Sequence, residues 1–284
     1  MIEHFLVSVT AGPRSRSIAA LADVKTELAI TDTSQDTKLR RLIAAVGAAF
    51  AGPEGMQRPP WRQTYLEQTD GDGSNLLLLH RWPVESVTSV TYGTTNPSTV
   101  EASEYSIALE YRSALYRATG WSGSIGGEAG WLQPAPGSDA YGFGVTYVGG
   151  WLMPDQIADW SAAAVKTAGV WVRSTSPTSL LRFECTTAGT THATTEPTWP
   201  TTVGGTVTDG TVVWAAREAS ELPSDLAELS IYAVAELYRG SWSLPYGIQS
   251  EKDEDHEISY DFVALRQGAY VLPPVVRSAV RAYR

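Results

Sequence analysis

Apolar residues recur at helical spacing near both ends of the chain and at alternate positions between them. Leu21, Val24 and Leu28 fall on one face of a short helix predicted to end near Ala29. Thr33-x-x-Asp36 then has the form of a capping box, with Asp in place of Glu or Gln. Leu39, Leu42, Ile43, Val46 and Phe50 follow at i, i+3, i+4, i+7 and i+11, which places all five on one helical face. The run from Ala44 to Ala49 is small-sided and suits close approach by another helix, and Gly52-Pro53 ends it.

From residue 63 the period changes to two. Gln63–Thr69 is predicted as a strand, Asp70-Gly71-Asp72-Gly73-Ser74 as a turn, and Leu76–Leu79 as the returning strand of a hairpin. Val87–Tyr92, Tyr105–Leu109, Ala114–Ala118 and Gly144–Val148 continue the strand pattern. The Gly-, Ser-, Pro- and Ala-rich stretch Gly120–Gly142 between them reads as a long loop, of the kind that is functional or held by a neighbour.

Residues 156–219 change texture again. Thr, Gly and Trp dominate, with strand-like runs at Val170–Arg173, Leu180–Thr186 and Gly210–Ala215. A helix then starts at Leu222-Pro223-Ser224-Asp225, with Ser224 as the expected N-cap. Leu226, Leu229, Ala233 and Leu237 form its stripe and Gly240 its close. An acidic stretch (Glu251, Asp253, Glu254, Asp255, Glu257, Asp261) leads to Pro273-Pro274, which suits a helix start, and to the apolar and basic segment Val275–Arg284. The pattern divides the chain into residues 1–155, 156–219 and 220–284 and predicts an α+β protein.

Composition narrows the functions that remain. The chain has 284 residues, enough for one large domain or two smaller ones. A formal net charge of −10 argues against a groove that clamps nucleic-acid phosphates, although DNA can slide past such a surface without sticking. The single cysteine, Cys185, has no internal disulfide partner and points to synthesis in a reducing compartment. Met1–Thr10 carries Glu3 where a secretory signal has a basic start, and no apolar stretch has the length of a membrane span. Ten Trp and thirteen Tyr against five Phe suit either protein contacts or ordinary β-rich cores.

Candidate chemistry is sparse. His4, His80, His192 and His256 are scattered, none at metal-ligand spacing with a second ligand. Asp70-x-Asp72-x-Ser74 begins like a calcium loop but has Asn75 where Gly is needed and Arg81 where Glu is needed. Gly120-Trp121-Ser122-Gly123-Ser124 departs from a nucleophile elbow at its fifth position, and Gly142-x-Gly144 departs from a dinucleotide fingerprint at Tyr147. The expectation is a protein with no catalytic residues, no metal and no cofactor.

Several segments, in order, resemble the head–tail connector (adaptor) family of tailed bacteriophages. They are Leu21-Ala-Asp-Val-Lys-Thr-Glu-Leu28, Leu39-x-x-Leu42-Ile43, the strands of 63–79, and Trp82-Pro83-Val84 leading into Val87-x-x-Val90-x-Tyr92. Val145-Thr146-Tyr147-x-Gly149-Gly150, Leu222-Pro223-x-Asp225-Leu226 and Leu272-Pro273-Pro274-x-Val276 complete the set. The resemblance implies a small helical connector core with a β-hairpin or sheet element. It also implies a homo-oligomeric ring of about twelve copies, whose head-to-tail contacts need two different patches on each subunit. Implied partners are the portal protein and a tail-completion protein (stopper or tail terminator), with double-stranded DNA passing through without specific binding. The implied location is the virion neck, after synthesis in the host bacterial cytoplasm.

The family pattern has a short turn where this chain has residues 156–219. That stretch resembles a small inserted all-β module, similar in layout to carbohydrate-binding modules, in which Trp171, Trp199 and Trp214 either stack on sugars or fill the module's own core. A carbohydrate-binding virion or tail protein is therefore the alternative function. An enzyme acting on cell-wall glycans is a third, without a carboxylate pair or nucleophile to carry it. At the C-terminus, Leu272, Pro273, Pro274, Val275, Val276, Val280, Tyr283 and Arg284 are the expected portal-binding residues, valines in a groove and arginines on acidic rims. The alternative is a terminal helix folded back on its own domain.

Overall fold

The computed structural model describes residues 5–93, 97–108, 113–122, 142–239, 250–253, 256–259 and 272–283. The fold is α+β and mostly β, with four helices and several sheets among the described residues. The chain divides into two compact units. One pools residues 1–14, 61–151 and 217–220; the other pools 15–60, 152–216 and 221–284. The units draw on segments distant in sequence: the strand nearest the N-terminus pairs with residues 64–69, and the terminal helix packs against the helix at 224–239. The loop expected over Gly120–Gly142 lies mainly outside the described residues, as do Gly240, Arg284 and three of the six acidic positions named above, Glu254, Asp255 and Asp261.

The first unit is built on an antiparallel sheet. Its strands are β1 (Phe5–Ala11), β2 (Gln63–Thr69), β4 (Val84–Tyr92), β5 (Ser98–Val100) and β8 (Phe143–Gly149), in the order β1-β2-β8-β4-β5. A second sheet holds β3 (Leu76–Leu78), β6 (Ser106–Ile107) and β7 (Ala114–Tyr116), ordered β3-β7-β6. Alternate residues of β8 (Phe143, Val145, Tyr147) face a core shared with Tyr65, Val84, Val90, Leu115 and Trp121.

The hairpin expected between 63–69 and 76–79 does not form. Both edges of β2 are occupied, by β1 and β8, and β3 pairs with β7 instead. The 70–74 turn is tied to residues 121–122: Gly73 N–H donates to the Trp121 carbonyl, Trp121 N–H donates to the Ser74 carbonyl, and Asp72 bridges Ser122. Gly71 is required there, because a Cβ would lie 1.9 Å from the Trp121 carbonyl oxygen.

The second unit contains all four helices: α1 (Leu21–Glu27), α2 (Asp36–Ala51), α3 (Ser224–Arg239) and α4 (Pro274–Arg281). Leu39, Ile43, Val46 and Phe50 of α2 are buried, as their spacing predicts. The capping box is not made. Gln35 occupies the N-cap with no side-chain bond, and Thr33 contributes its carbonyl, which accepts from Asp36 N–H. On α3, Leu226, Ser230, Ala233 and Val234 form the buried stripe, and the Ser230 hydroxyl donates to the Ile18 carbonyl. Asp225 in its first turn and Arg239 in its last complement the helix dipole. Lys38 of α2 lies over the Tyr238 ring of α3, 4.3 Å from its centroid.

Residues 157–217 of the chain carry their own sheet. It comprises β9 (Ile157–Asp159), β11 (Trp171–Arg173), β12 (Arg182–Thr187), β14 (Thr206–Asp209) and β15 (Val212–Arg217), ordered β14-β15-β12-β11-β9, with β9 parallel to β11. A two-stranded ribbon of β10 (Val165–Lys166) and β13 (Gly189–Thr190) accompanies it. The chain enters and leaves side by side: Leu152 bridges Glu221, and Leu222 N–H donates to the Leu152 carbonyl at 3.0 Å. Between α3 and α4 lies a hairpin of β16 (Ser250–Asp253) and β17 (His256–Ser259).

Candidate interaction site at the C-terminal helix

Pro273 and Pro274 start α4 as their fixed φ predicts, with Pro273 at the N-cap. The helix then presents two faces. Val276 and Val280, one turn apart, are fully buried together with Leu272, while Val275 is 61% exposed. Three apolar side chains assigned from sequence to a partner's groove are thus covered within the chain itself. The helix is folded back rather than carried on a free arm. An eight-residue helix has too few turns to offset its nucleation cost, so it exists only where a surface covers its apolar face.

Polar contacts fasten the rim. Glu54, just beyond α2, faces two α4 guanidinium groups: Arg281 at 3.1 Å and Arg277 at 3.5 Å. Buried Arg58 donates from Nε and Nη2 to the Tyr283 carbonyl at 3.2 and 3.1 Å. The Tyr283 hydroxyl donates to Asp225 Oδ2 at 2.7 Å, and this bond, with partial burial, pushes the phenol above its usual range. The ion pairs to Glu54 are solvent-exposed and contribute on the order of 0–1 kcal/mol each, so burial of the valines and leucine holds the helix and the charges set its orientation. Glu54, Arg58 and Asp225 were not legible as site residues. Each sits far from α4 in sequence, and Asp225 reads from its local motif only as part of a helix start.

The three tryptophans considered for sugar stacking are not surface rings. Trp171 is 2%, Trp199 7% and Trp214 0% exposed. Trp199 stacks on Phe183 with centroids 4.0 Å apart and meets Trp214 edge-on at 6.1 Å. Carboxylates take the indole N–H groups: Trp199 donates to Glu196 at 2.7 Å, while Trp214 and Trp160 both donate to Asp209 Oδ2, at 3.0 and 2.8 Å. Burial raises the Glu196 carboxyl, but bonds from the Thr175 hydroxyl and N–H outweigh it and hold it below the usual carboxylate range. Trp199 and Trp214, with Phe183 and Val172, form the core of a small sheet that has few other large side chains to bury, and Trp171, on the opposite strand face from Val172, is buried outside that cluster.

Two further clusters have no counterpart in the sequence reading. In the first unit, fully buried Glu67 of β2 accepts from the Tyr147 hydroxyl at 2.6 Å and from His80 N–H at 3.1 Å, with His80 Nδ1 2.6 Å away. Burial first, and the Glu67 charge second, push the Tyr147 phenol far above its usual range. In the second unit, Glu221 sits between Arg173 and Arg182 at the exit of the 157–217 sheet. In both, the carboxylate is met by hydrogen-bond partners from the chain itself. Among the described residues, no group of three or more His, Cys, Asp or Glu side chains is placed to hold a metal ion.

No protein-family model matches the chain, and no curated protein matches it.

Proposed function

We propose that the chain is a structural virion protein, a ring-forming head–tail connector that joins the portal of a tailed-phage capsid to the tail and lines the DNA exit channel. The observation that carries this reading is the ordered set of connector-like segments, which fall on successive elements. Leu21–Leu28 spans α1, Leu39–Ile43 opens the buried face of α2, and Val87–Tyr92 and Val145–Gly150 fall largely on the paired strands β4 and β8. Leu222–Leu226 enters α3, and Leu272–Val276 enters α4. The net charge of −10 suits a channel that lets DNA slide. Residues 156–219 act as an inserted β-unit on the ring's outer rim, a reading supported by the adjacency of Leu152 and Leu222. The partners are the portal, a tail-completion protein and further copies of the chain, and no bond is made or broken. The carbohydrate-binding alternative loses its named residues, since Trp171, Trp199 and Trp214 are buried.

The test is the mass of the purified protein alone and mixed with portal, together with electron microscopy of the virion. The reading expects a ring-sized species that joins portal and density at the portal vertex. A monomer that ignores portal, or density at the tail tip, overturns it.

A further inference from the structure

We infer that β1 is a pairing edge, on which a second copy of the chain lays its own β1 antiparallel and so continues the sheet. This contact does not depend on the ring proposed above, because a two-fold contact doubles whatever carries it, a single copy or a ring.

The outer side of β1 is open. β1 ends the order β1-β2-β8-β4-β5, and β2 is its one partner among the strands. An edge strand turns a row of backbone donors and acceptors away from its own sheet. Beside that row, Leu6 and Val9 are 51% and 52% exposed. Phe5–Val9 runs in regular register against Thr69–Tyr65, and the bulge between Val9 and Ala11 bends only the end of the strand.

Proteins blunt such edges with short strands, charges or proline. Elsewhere among the described residues this is done by length. No other edge strand exceeds four residues: β3, β5 and β9 have three, β6, β10 and β13 two, and β14, β16 and β17 four. Two of these also end in an aspartate, β9 in Asp159 and β14 in Asp209. β1 has seven residues, with no charge and no proline. A long edge left without these devices is one that pairing covers.

Its composition points to a second copy. Pairing about a two-fold axis draws both sides of the contact from the same residues, so it tolerates no charge that lacks its opposite on the strand. β1 meets that condition, and in the antiparallel arrangement each strand's donors face the other's acceptors. The opposite edge of the sheet is a poor alternative, since the three residues of a neighbour's β5 cannot cover the seven of β1.

The test compares the full wild-type chain with a chain carrying both Leu6→Lys and Val9→Lys, two exposed positions, by analytical ultracentrifugation over a concentration series. Thermal melts check that the variant folds. Hydrogen exchange of residues 5–11 is followed in the wild type, so the outcome does not hang on the variant alone. Pairing predicts a wild-type mass twice that of the variant. It also predicts alternate β1 amides that exchange on the order of tenfold faster on dilution, while the amides of β2 and β8 do not change. Equal masses, or β1 amides that exchange freely at every concentration, overturn the pairing and leave the edge to a strand of another protein. A ring whose mass is the same in the variant overturns the pairing and leaves the ring standing. A pair that falls to single copies upholds the pairing and overturns the ring.

Discussion

His80 is held against Glu67 by two contacts, its backbone N–H at 3.1 Å from the carboxylate and its ring Nδ1 at 2.6 Å. The carboxyl group is fully buried, so the bend at 79–81 is fixed by an acceptor shielded from solvent. Tyr147 supplies a third donor from β8. A buried carboxylate is tolerated only when its lone pairs are met in this way.

Removing the acceptor is accordingly worse than removing one donor. Glu67→Ala strands the Tyr147 hydroxyl and His80 groups and is expected to cost about 3 kcal/mol or more, whereas Tyr147→Phe costs about 1–3 kcal/mol. Denaturant unfolding of the two variants compares them. Equal losses would mean that Glu67 is not the hub.

The phenol of Tyr147 also sets an alkaline limit. Its folded value is raised above the ordinary 10, so the stabilisation it contributes is complete below that pH and is lost as pH rises beyond it. Wild type is expected to lose stability above pH 10 more steeply than Tyr147→Phe, as read by thermal melts across that range.

Glu221 works in the opposite sense. Burial raises its carboxyl, but the bonds from Arg173 and Arg182 outweigh this and hold it below the ordinary 4.5. A lowered folded value gives stability that is present above 4.5 and lost as pH falls through the folded value. Acid titration of melting temperature should show a steeper fall below pH 4.5 in wild type than in Glu221→Gln. Parallel curves would remove Glu221 from the acid response.

On α4, burial predicts a graded series. Val276→Ala and Val280→Ala each cost on the order of 1–2 kcal/mol, and Val275→Ala, at the exposed position, costs about nothing. Truncation after Tyr260 lowers the melting temperature clearly, since it removes Leu272, Val276 and Val280 together. A truncated chain as stable as the whole would contradict the folded-back helix.

Replacing residues 156–219 with a short Gly/Ser turn should leave the remainder folded, because Leu152 and Leu222 already hydrogen-bond to each other across the excision. Asp209→Ala, made in the intact chain, instead unfolds the 157–217 sheet, since Trp160, Trp214 and the His192 N–H all lose one carboxylate. Tryptophan fluorescence follows both. Failure of the excised chain to fold would make those residues integral to the rest.

The sequence by itself determined the type and approximate extent of most elements. The 3.6-residue spacing from Leu39 to Phe50 marks the buried face of α2, Gln63–Thr69 is a strand from end to end, and Pro273-Pro274 opens α4. These signals are local, because helix and strand periods repeat within a few residues. Only the tertiary structure decided the partners. It gave β2 to β1 and β8 rather than to the strand just after the turn, and turned Trp171, Trp199 and Trp214 inward. It also set Glu67 on the core-facing side of β2, where a charged residue reads as surface until Tyr147, eighty positions away, is brought to it. The seat of α4 is the clearest case. Glu54, Arg58 and Asp225 have no shared spacing, and they become one site only when chain folding has supplied contacts that no short window of sequence contains.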